Sequence, residues 1–182
     1  MGTTGGDRDL LMKTVSSHYC VIAPNMGKQI VAMQYALEFL SSKFPGAFDG
    51  YTLQVVESHQ KTKADTSGTA LAVISSISGL VGSDCTFDVK KDIKMLRDDE
   101  SSRAFGVPSD AITSGHAFHT YTLTSPDGTV SFELKHNVCG RRVYGEGTAD
   151  AVKYLAMQIE KGGDDGAKAF SMIDVLQAGA LK

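Results

Sequence analysis

The sequence has no long apolar run, no excess of basic residues and no closely spaced cysteines. No stretch approaches the roughly 18 apolar residues that span a membrane, and the first residues do not resemble a secretory signal. Because the formal net charge is −3, no general attraction to nucleic acid is expected. The three cysteines, Cys20, Cys85 and Cys139, are odd in number and widely separated, which predicts free thiols in a reducing compartment.

A glycine-rich dinucleotide fingerprint is also missing from the early part of the chain. Residues 145–150 read G-E-G-T-A-D and open like that fingerprint, but the third glycine is absent and no strand–helix–strand unit follows. We therefore predict a glycine-containing turn here, which leads into a helix over residues 148–160.

The sequence also lacks ligands at the spacing of a metal site. His116 and His119 lie on a predicted strand, where residues three apart point to opposite faces and cannot chelate one ion together. His136 and Cys139 have no partner at ligand spacing either. No metal site is predicted.

The most informative stretch present is residues 57–69, which read E-S-H-Q-K-T-K-A-D-T-S-G-T. In residues 51–56, which precede it, β-branched and aromatic residues occur in rough alternation, which predicts a strand. The apolar residues after it recur at helical spacing, and Thr66 or Ser67 is a plausible N-cap. A polar loop is therefore predicted between a strand and a helix, the usual place for ligands in open α/β folds.

This loop carries groups that suit an anionic ligand. His59 titrates near neutrality, and Lys61 and Lys63 add two positive charges. The backbone N–H groups of residues 67–69 open a helix, which favours a carboxylate or phosphate, and Gly68 allows close approach. The alternative is an ordinary strand–loop–helix connection with a solvated histidine and a satisfied cap.

Elsewhere, periodicity and turn residues predict a series of ordinary elements. Helices are expected over residues 8–16, 28–43 and 170–176, a buried strand over 19–23, two strands over 111–124 and 129–137 joined by a turn at 125–128, and one or two short strands with a solvated loop over 84–103.

The loop resembles the substrate loop of dihydrodipicolinate reductase, also called 4-hydroxy-tetrahydrodipicolinate reductase. Gln60 stands where the usual bacterial form has a second histidine, and the loop is one residue shorter, a pattern similar to the plant-type branch. Further family-like motifs occur in order along nearly the whole chain: G-T-T-G at 2–5, A-P-N-M-G at 23–27, S-G-H-A-F-H at 114–119 and F-E-L-K-H-N-V-C-G-R at 132–141.

The resemblance implies an α+β fold, in which a mixed sheet with flanking helices accompanies the terminal portion of a Rossmann-type domain. Residues 1–27 would end the cofactor domain, residues 28–141 would bind substrate and oligomerise, and residues 142–182 would be helices that pack back towards the cofactor domain. It also implies reduction of 4-hydroxy-tetrahydrodipicolinate in lysine biosynthesis, with NADPH or NADH as cofactor.

The resemblance assigns roles to individual residues. It makes His59 and Lys63 catalytic. Substrate would be bound by Gln60, Ser67, Gly68, Thr69 and Thr4, and the cofactor by Gly2, Thr3, Thr4, Ala23, Pro24, Asn25 and Met26. Because no stretch matches the adenosine-binding half, the isolated chain is expected to bind dinucleotide weakly.

Partners and location follow in the same way. The long strands predict a homo-oligomer, a dimer or tetramer formed through the sheet. The resemblance implies a small dicarboxylate as substrate. Neither nucleic acid nor a membrane is expected as a partner. The compartment would be the plastid stroma in a plant or alga, and the cytoplasm otherwise. Two alternatives stay open: a catalytically silent oligomerisation module, and a non-redox binder of a dicarboxylate or phosphate.

Overall fold

The computed structural model describes residues 7–15, 17–82, 87–162 and 168–179. The chain forms two compact units, one containing Met1–Tyr35 with Arg142–Lys182 and the other Ala36–Arg141. The elements in chain order are α1 (Arg8–Val15), β1 (Cys20–Val21), α2 (Lys28–Lys43), β2 (Thr52–His59), α3 (Gly68–Val81), α4 (Val89–Asp92), β3 (Ile93–Leu96), α5 (Asp99–Ala104), α6 (Ser109–Ser114), β4 (His116–Thr124), β5 (Ser131–Cys139), α7 (Arg142–Lys161), β6 (Ala169–Phe170) and α8 (Met172–Gln177).

The first unit is built around a short parallel pair of strands. β1 pairs with β6, and helices α7 and α8 contribute to one apolar core. The members of that core are Val21, Ala23, Met26, Val31, Ala151, Tyr154, Met172 and Val175. A capping box between Ser171 and Asp174 begins α8, because each residue's side chain accepts a hydrogen bond from the other's backbone N–H.

The second unit contains a four-stranded mixed sheet in the order β3-β2-β4-β5. β2 is parallel to β3 and antiparallel to β4, and β4 is antiparallel to β5. Because side chains alternate along a strand, Val55, Glu57 and His59 share one face of β2, and Ser58 points to the other. The core includes Val55 at 0% exposed and Tyr121 at 1%.

The opposite face of the sheet holds a second, smaller set of contacts. Val107, Ala111 and Phe118 form a buried apolar cluster there. The Ser58 hydroxyl donates to the Ser102 oxygen at 2.9 Å and lies 2.8 Å from Nε2 of His116. These contacts anchor α5 and α6 to the strands that carry the histidines.

Several predictions from the sequence are confirmed. The fold is α+β with a mixed sheet, the helix over residues 28–43 has the predicted bounds, and strands β4 and β5 form a hairpin. Its turn is closed by the Gly128 N–H, which donates to the Ser125 carbonyl at 2.9 Å. No helix in the described ranges is long and apolar enough to cross a membrane. The three-part division at residues 27 and 141 stays a prediction.

Other boundaries were wrong. Residues 109–114 are helical, not strand, because Pro108 begins the helix and Gly115, with φ of 103°, separates it from β4. The strand before the polar loop continues to His59, because residues 57–59 pair with β4. α7 begins at Arg142 and runs through both glycines that were expected to form a turn.

The shorter elements also differ. The predicted strand over 19–23 is reduced to β1, and residues 169–170 are a strand rather than the start of the last helix. Of residues 84–103, the described part has one strand, β3, and two short helices, α4 and α5.

Candidate functional site

A buried carboxylate organises the polar end of β2. Glu57 is fully buried, and its Oε2 accepts a hydrogen bond from the Ser67 N–H at 3.1 Å. Its Oε1 accepts a hydrogen bond from Nη2 of Arg97, with which it forms an ion pair. An isolated buried charge is costly, so this pairing offsets the cost of burying the Glu57 carboxylate.

Arg97 also holds the loop that follows β2. Its Nε donates to the Lys63 carbonyl at 2.7 Å, and its Nη2 donates to the Asp65 carbonyl at 3.3 Å. The guanidinium therefore joins the end of β3, the centre of β2 and the polar loop. Because the fork of donors is rigid, it fixes the loop backbone more firmly than a lysine would.

The loop presents Lys63 beside an exposed partner. Nζ of Lys63 donates to Oδ1 of Asp65 at 2.9 Å, and the Asp65 side chain is 83% exposed. That hydrogen bond holds the pKa of Asp65 below its ordinary value. Solvent screens an exposed pair of this kind, so another anion can replace Asp65 at little cost.

Helix α3 begins immediately after the loop. Ser67 is the N-cap, and its hydroxyl accepts a hydrogen bond from the Ala70 N–H at 3.4 Å. Thr66, the other candidate cap, instead donates to the sulfur of Met95 at 3.8 Å. Gly68 and Thr69 occupy the first two helical positions, at the positive end of the helix dipole.

His59 lies at the end of β2 and is 6% exposed. Its Nε2 is 3.2 Å from Nε2 of His119 on β4. Burial, followed by the positive charges of Arg97 and Lys63, lowers the pKa of His59 to about 4. Burial and the neighbouring rings of His136 and His59 lower the pKa of His119 to about 2. Both imidazoles are therefore neutral at pH 7.

Two further rings, those of His136 and Tyr121, stack with His119. The rings of His119 and His136 are 4.6 Å apart between centroids and inclined at 21°, and His119 and Tyr121 are 6.3 Å apart and nearly parallel. Burial, followed by the charge of Glu57, raises the pKa of Tyr121. Within the described part of the chain, Nδ1 of His119, Nδ1 of His136 and the Tyr121 hydroxyl are buried without a hydrogen-bond partner.

The first unit contains the turn that was expected to contact a cofactor. The side chains of Ala23 and Met26 face the apolar core, and Pro24 is exposed. Asn25 is buried, and its Oδ1 accepts a hydrogen bond from the Gly27 N–H at 2.7 Å. A ligand at this turn would therefore meet the backbone of Ala23 and Met26 rather than their side chains.

Comparison with known proteins decides the family. The family described as "Dihydrodipicolinate reductase, C-terminus" matches residues 29–176, which is most of the chain. The chain belongs to the dihydrodipicolinate reductase family. The resemblance drawn from the sequence motifs is confirmed.

Plant relatives match the whole length of this chain. It is 52% identical over 185 residues to 4-hydroxy-tetrahydrodipicolinate reductase 2, chloroplastic, of Arabidopsis thaliana, covering 100% of this chain and 51% of the relative. It is also 52% identical to Probable 4-hydroxy-tetrahydrodipicolinate reductase 1, chloroplastic, of Oryza sativa subsp. japonica, covering 100% of this chain and 52% of the relative. The chain spans about half the length of these curated relatives.

A solved structure supports the fold. The dipicolinate-bound dihydrodipicolinate reductase from Paenisporosarcina sp. TG-14 aligns with a TM-score of 0.54 and 17% sequence identity, covering 93% of this chain and 61% of that one. At this identity the likeness is one of fold alone.

The structure places most of the residues predicted to form a substrate loop in one connection. His59 ends β2, Gln60 and Lys63 lie in the loop, and Gly68 and Thr69 begin α3 directly after the Ser67 cap. Gly2, Thr3 and Thr4, expected to contact cofactor or substrate, lie outside the described residues.

Sequence reasoning missed three residues of this reductase-family site: Glu57, Arg97 and His119. Glu57 pairs with His119 across β2 and β4, and Arg97 follows the strand on the other side. Their proximity depends on strand order and register. The one local signal was the shared face of Glu57 and His59, two residues apart on a strand.

Proposed function

We propose that this chain is the substrate-binding part of an NAD(P)H-dependent 4-hydroxy-tetrahydrodipicolinate reductase of lysine biosynthesis, located in a plastid. The names of the plant relatives support the activity and the compartment. The observation that carries the proposal is the position of Arg97, which fixes a loop bearing Lys63 against the start of α3. A cation and a helix N-terminus on one short connection suit a dicarboxylate.

The start of α3 binds one carboxylate of the substrate. The N–H groups of Gly68 and Thr69 and the Thr69 hydroxyl donate to it, with Gln60 and the Ser67 region beside them. The Ser67 N–H already donates a hydrogen bond to Glu57, so the N-cap residue Ser67 stays in place when substrate binds. The helix dipole favours a negative charge at this end by about 0.3–1 kcal/mol.

Lys63 supplies the proton. Loss of water from the 4-hydroxy substrate gives a conjugated cyclic imine. A reduced nicotinamide, when bound, would supply a hydride to this imine, which would leave an enamine. The Lys63 ammonium protonates the enamine carbon, and solvent restores the lysine proton. The exposed Asp65 releases Lys63 readily, because a substrate carboxylate can take its place in the ion pair.

His59 acts as a neutral group at the same end of the sheet. Burial lowers its pKa to about 4, which supports Lys63 rather than His59 as the proton donor at pH 7. In this proposal His59 contributes hydrogen bonding and polarity beside the lysine.

NADPH or NADH is the proposed cofactor, and the turn formed by Ala23, Pro24, Asn25 and Met26 would contact the nicotinamide half together with Gly2, Thr3 and Thr4. The turn fits this role because its apolar side chains point inward and the Asn25 bond to Gly27 fixes its backbone. Contacts to a ligand would come from backbone groups and Pro24.

The chain also forms a homo-oligomer, a dimer or tetramer, through the edge of the sheet. β5 is an edge strand of nine residues, and Val130 and Phe132 are 42% and 49% exposed. A long exposed edge with apolar side chains is normally covered by another chain.

Two substitutions separate an enzyme from a binder. Lys63→Ala should lower turnover by about a hundred- to ten-thousandfold and weaken binding of dipicolinate only modestly, because a proton donor acts mainly in the transition state. Thr69→Val should weaken dipicolinate binding by roughly tenfold to a hundredfold, because it removes a hydrogen bond to a charged group. Lys61→Ala is the matched control, since Lys61 is exposed on the same loop.

Calorimetry on this chain measures dipicolinate binding, and NADPH oxidation by its fusion to the remaining half of a plant relative measures turnover. If Lys63→Ala leaves turnover per bound complex unchanged while binding falls as in Thr69→Val, the loop only binds, and the proton-donor role of Lys63 is wrong.

A further inference from the structure

Two strands bring three potential metal ligands together on one face of the sheet. Glu57 and His59 come from β2 and His119 from β4, and all three side chains are buried. Nε2 of His119 lies 3.2 Å from Nε2 of His59 and 3.8 Å from Oε2 of Glu57, and all three ligand atoms lie within 4.8 Å of one another. The spacing of residues along a single strand does not predict this group of ligands, because His119 is adjacent to Glu57 and His59 only through the pairing of β2 with β4.

We propose that Glu57, His59 and His119 form a Zn²⁺-binding site. Two imidazole nitrogens and one carboxylate oxygen are ligands that zinc prefers, and three protein ligands leave a fourth position open. Zinc–ligand bonds of about 2.0–2.1 Å in a tetrahedral arrangement place ligand atoms roughly 3.3 Å apart. The spacing between the imidazoles already has this value, and the carboxylate oxygen, 3.8 Å from Nε2 of His119, must move closer to both rings.

The two imidazoles face each other through the same atom, which suits a metal. When both rings are neutral, one Nε2 must donate to the other, and only a single proton fits between them. Zn²⁺ instead accepts a lone pair from each Nε2 at once.

Glu57 retains a lone pair for the metal. Its Oε1 pairs with Arg97, and its Oε2 accepts a single hydrogen bond, from the Ser67 N–H, which leaves room for one further partner. The cations Arg97 and Lys63 face the same region and oppose a second positive ion, and Glu57 offsets part of that charge. The site should therefore bind zinc more weakly than a closed four-ligand structural site.

Metal titration of this 182-residue chain tests the site without cofactor or turnover. Co²⁺ is added first, after the cysteines have been alkylated to remove thiolate ligands, and then Zn²⁺ is added to displace it. We expect one equivalent of Co²⁺ with the visible absorption of a tetrahedral complex. In His119→Phe, affinity should fall at least tenfold, since loss of a group that merely supports a ligand already costs about 10- to 100-fold.

Two histidine variants serve as controls, and a second variant of a proposed ligand is available if the first does not fold. His18→Ala removes an exposed histidine, and His116→Ala removes one on the opposite face of β4, so both should bind Co²⁺ like the unaltered chain. The phenyl ring of His119→Phe preserves the stack with His136 and Tyr121. If circular dichroism shows that it does not fold, His59→Gln takes its place, with the same expected loss.

The proposal is overturned if the unaltered chain gives no tetrahedral Co²⁺ spectrum, or if binding persists unchanged in a folded His119→Phe or His59→Gln variant. Neither result bears on the proposed reductase activity, which is measured separately by dipicolinate binding and NADPH oxidation.

Discussion

Replacing Arg97 with methionine should destabilise the protein more than any exposed charge substitution. The change keeps most of the apolar stem but leaves the fully buried Glu57 carboxylate without its ion-pair partner. Breaking a buried pair by removing one member costs about 3–5 kcal/mol. The hydrogen bonds to the Lys63 and Asp65 carbonyls are lost as well. Against a total stability of about 5–15 kcal/mol, this is a large loss.

A double-mutant cycle isolates the pair. Glu57→Gln removes the charge and keeps an oxygen to accept the Ser67 N–H, so Arg97→Met combined with Glu57→Gln should be more stable than Arg97→Met alone. Arg103→Met is the matched control, because Arg103 pairs with Asp99 at 4.0 Å on the surface and should contribute within about 1 kcal/mol. Urea unfolding followed by circular dichroism gives the free energies.

The reasoning fails if Arg97→Met unfolds at the same urea concentration as Arg103→Met, or if adding Glu57→Gln produces no recovery. Dipicolinate affinity provides a second measure. It should fall in Arg97→Met because the backbone of the Lys63 loop is no longer fixed, and it should be unchanged in Arg103→Met.

Two further predictions concern acidity and assembly. The pKa of His59 is about 4 in the folded chain and about 6.5 when unfolded, so the unfolded state binds the extra proton and stability falls as the pH is lowered through this window. Each unit of pKa difference corresponds to about 1.4 kcal/mol, so the free energy of unfolding should fall by roughly 3 kcal/mol across this window. Urea unfolding at several pH values should show a weaker dependence of this free energy on pH for His59→Gln than for the unaltered chain. Sedimentation should show an oligomer at micromolar concentration, and Val130→Asp should weaken it; a clean monomer for the unaltered chain contradicts the edge-strand interface.

Local chemistry was readable from the sequence where neighbours in the chain are neighbours in space. His59, Lys63 and the Ser67 cap lie on one connection, so their types and order sufficed to propose a candidate site there. Arg97 and His119 could not be found in this way, because their importance comes from pairing with Glu57 across two different strands.

Tertiary contacts also overrode local preference in the secondary structure. Residues 111–114 include β-branched side chains that favour a strand, but Ala111 packs into the cluster with Val107 and Phe118, and the segment is helical. Two glycines should weaken the first turns of α7, and the helix forms through them because it packs against the first unit's core.

Gly147 links the sequence of α7 to the geometry of the turn at residues 23–27. A Cβ at this position would lie 1.7 Å from the Met26 carbonyl oxygen and 3.0 Å from its carbon, so even alanine requires the backbone to move. The backbone at position 26 therefore restricts position 147 to glycine, although the two positions are far apart in the chain. In a relative with any side chain at position 147, we expect the backbone of the turn at residues 23–27 to be shifted. The residue type at this position therefore predicts the position of the turn in relatives without a known structure.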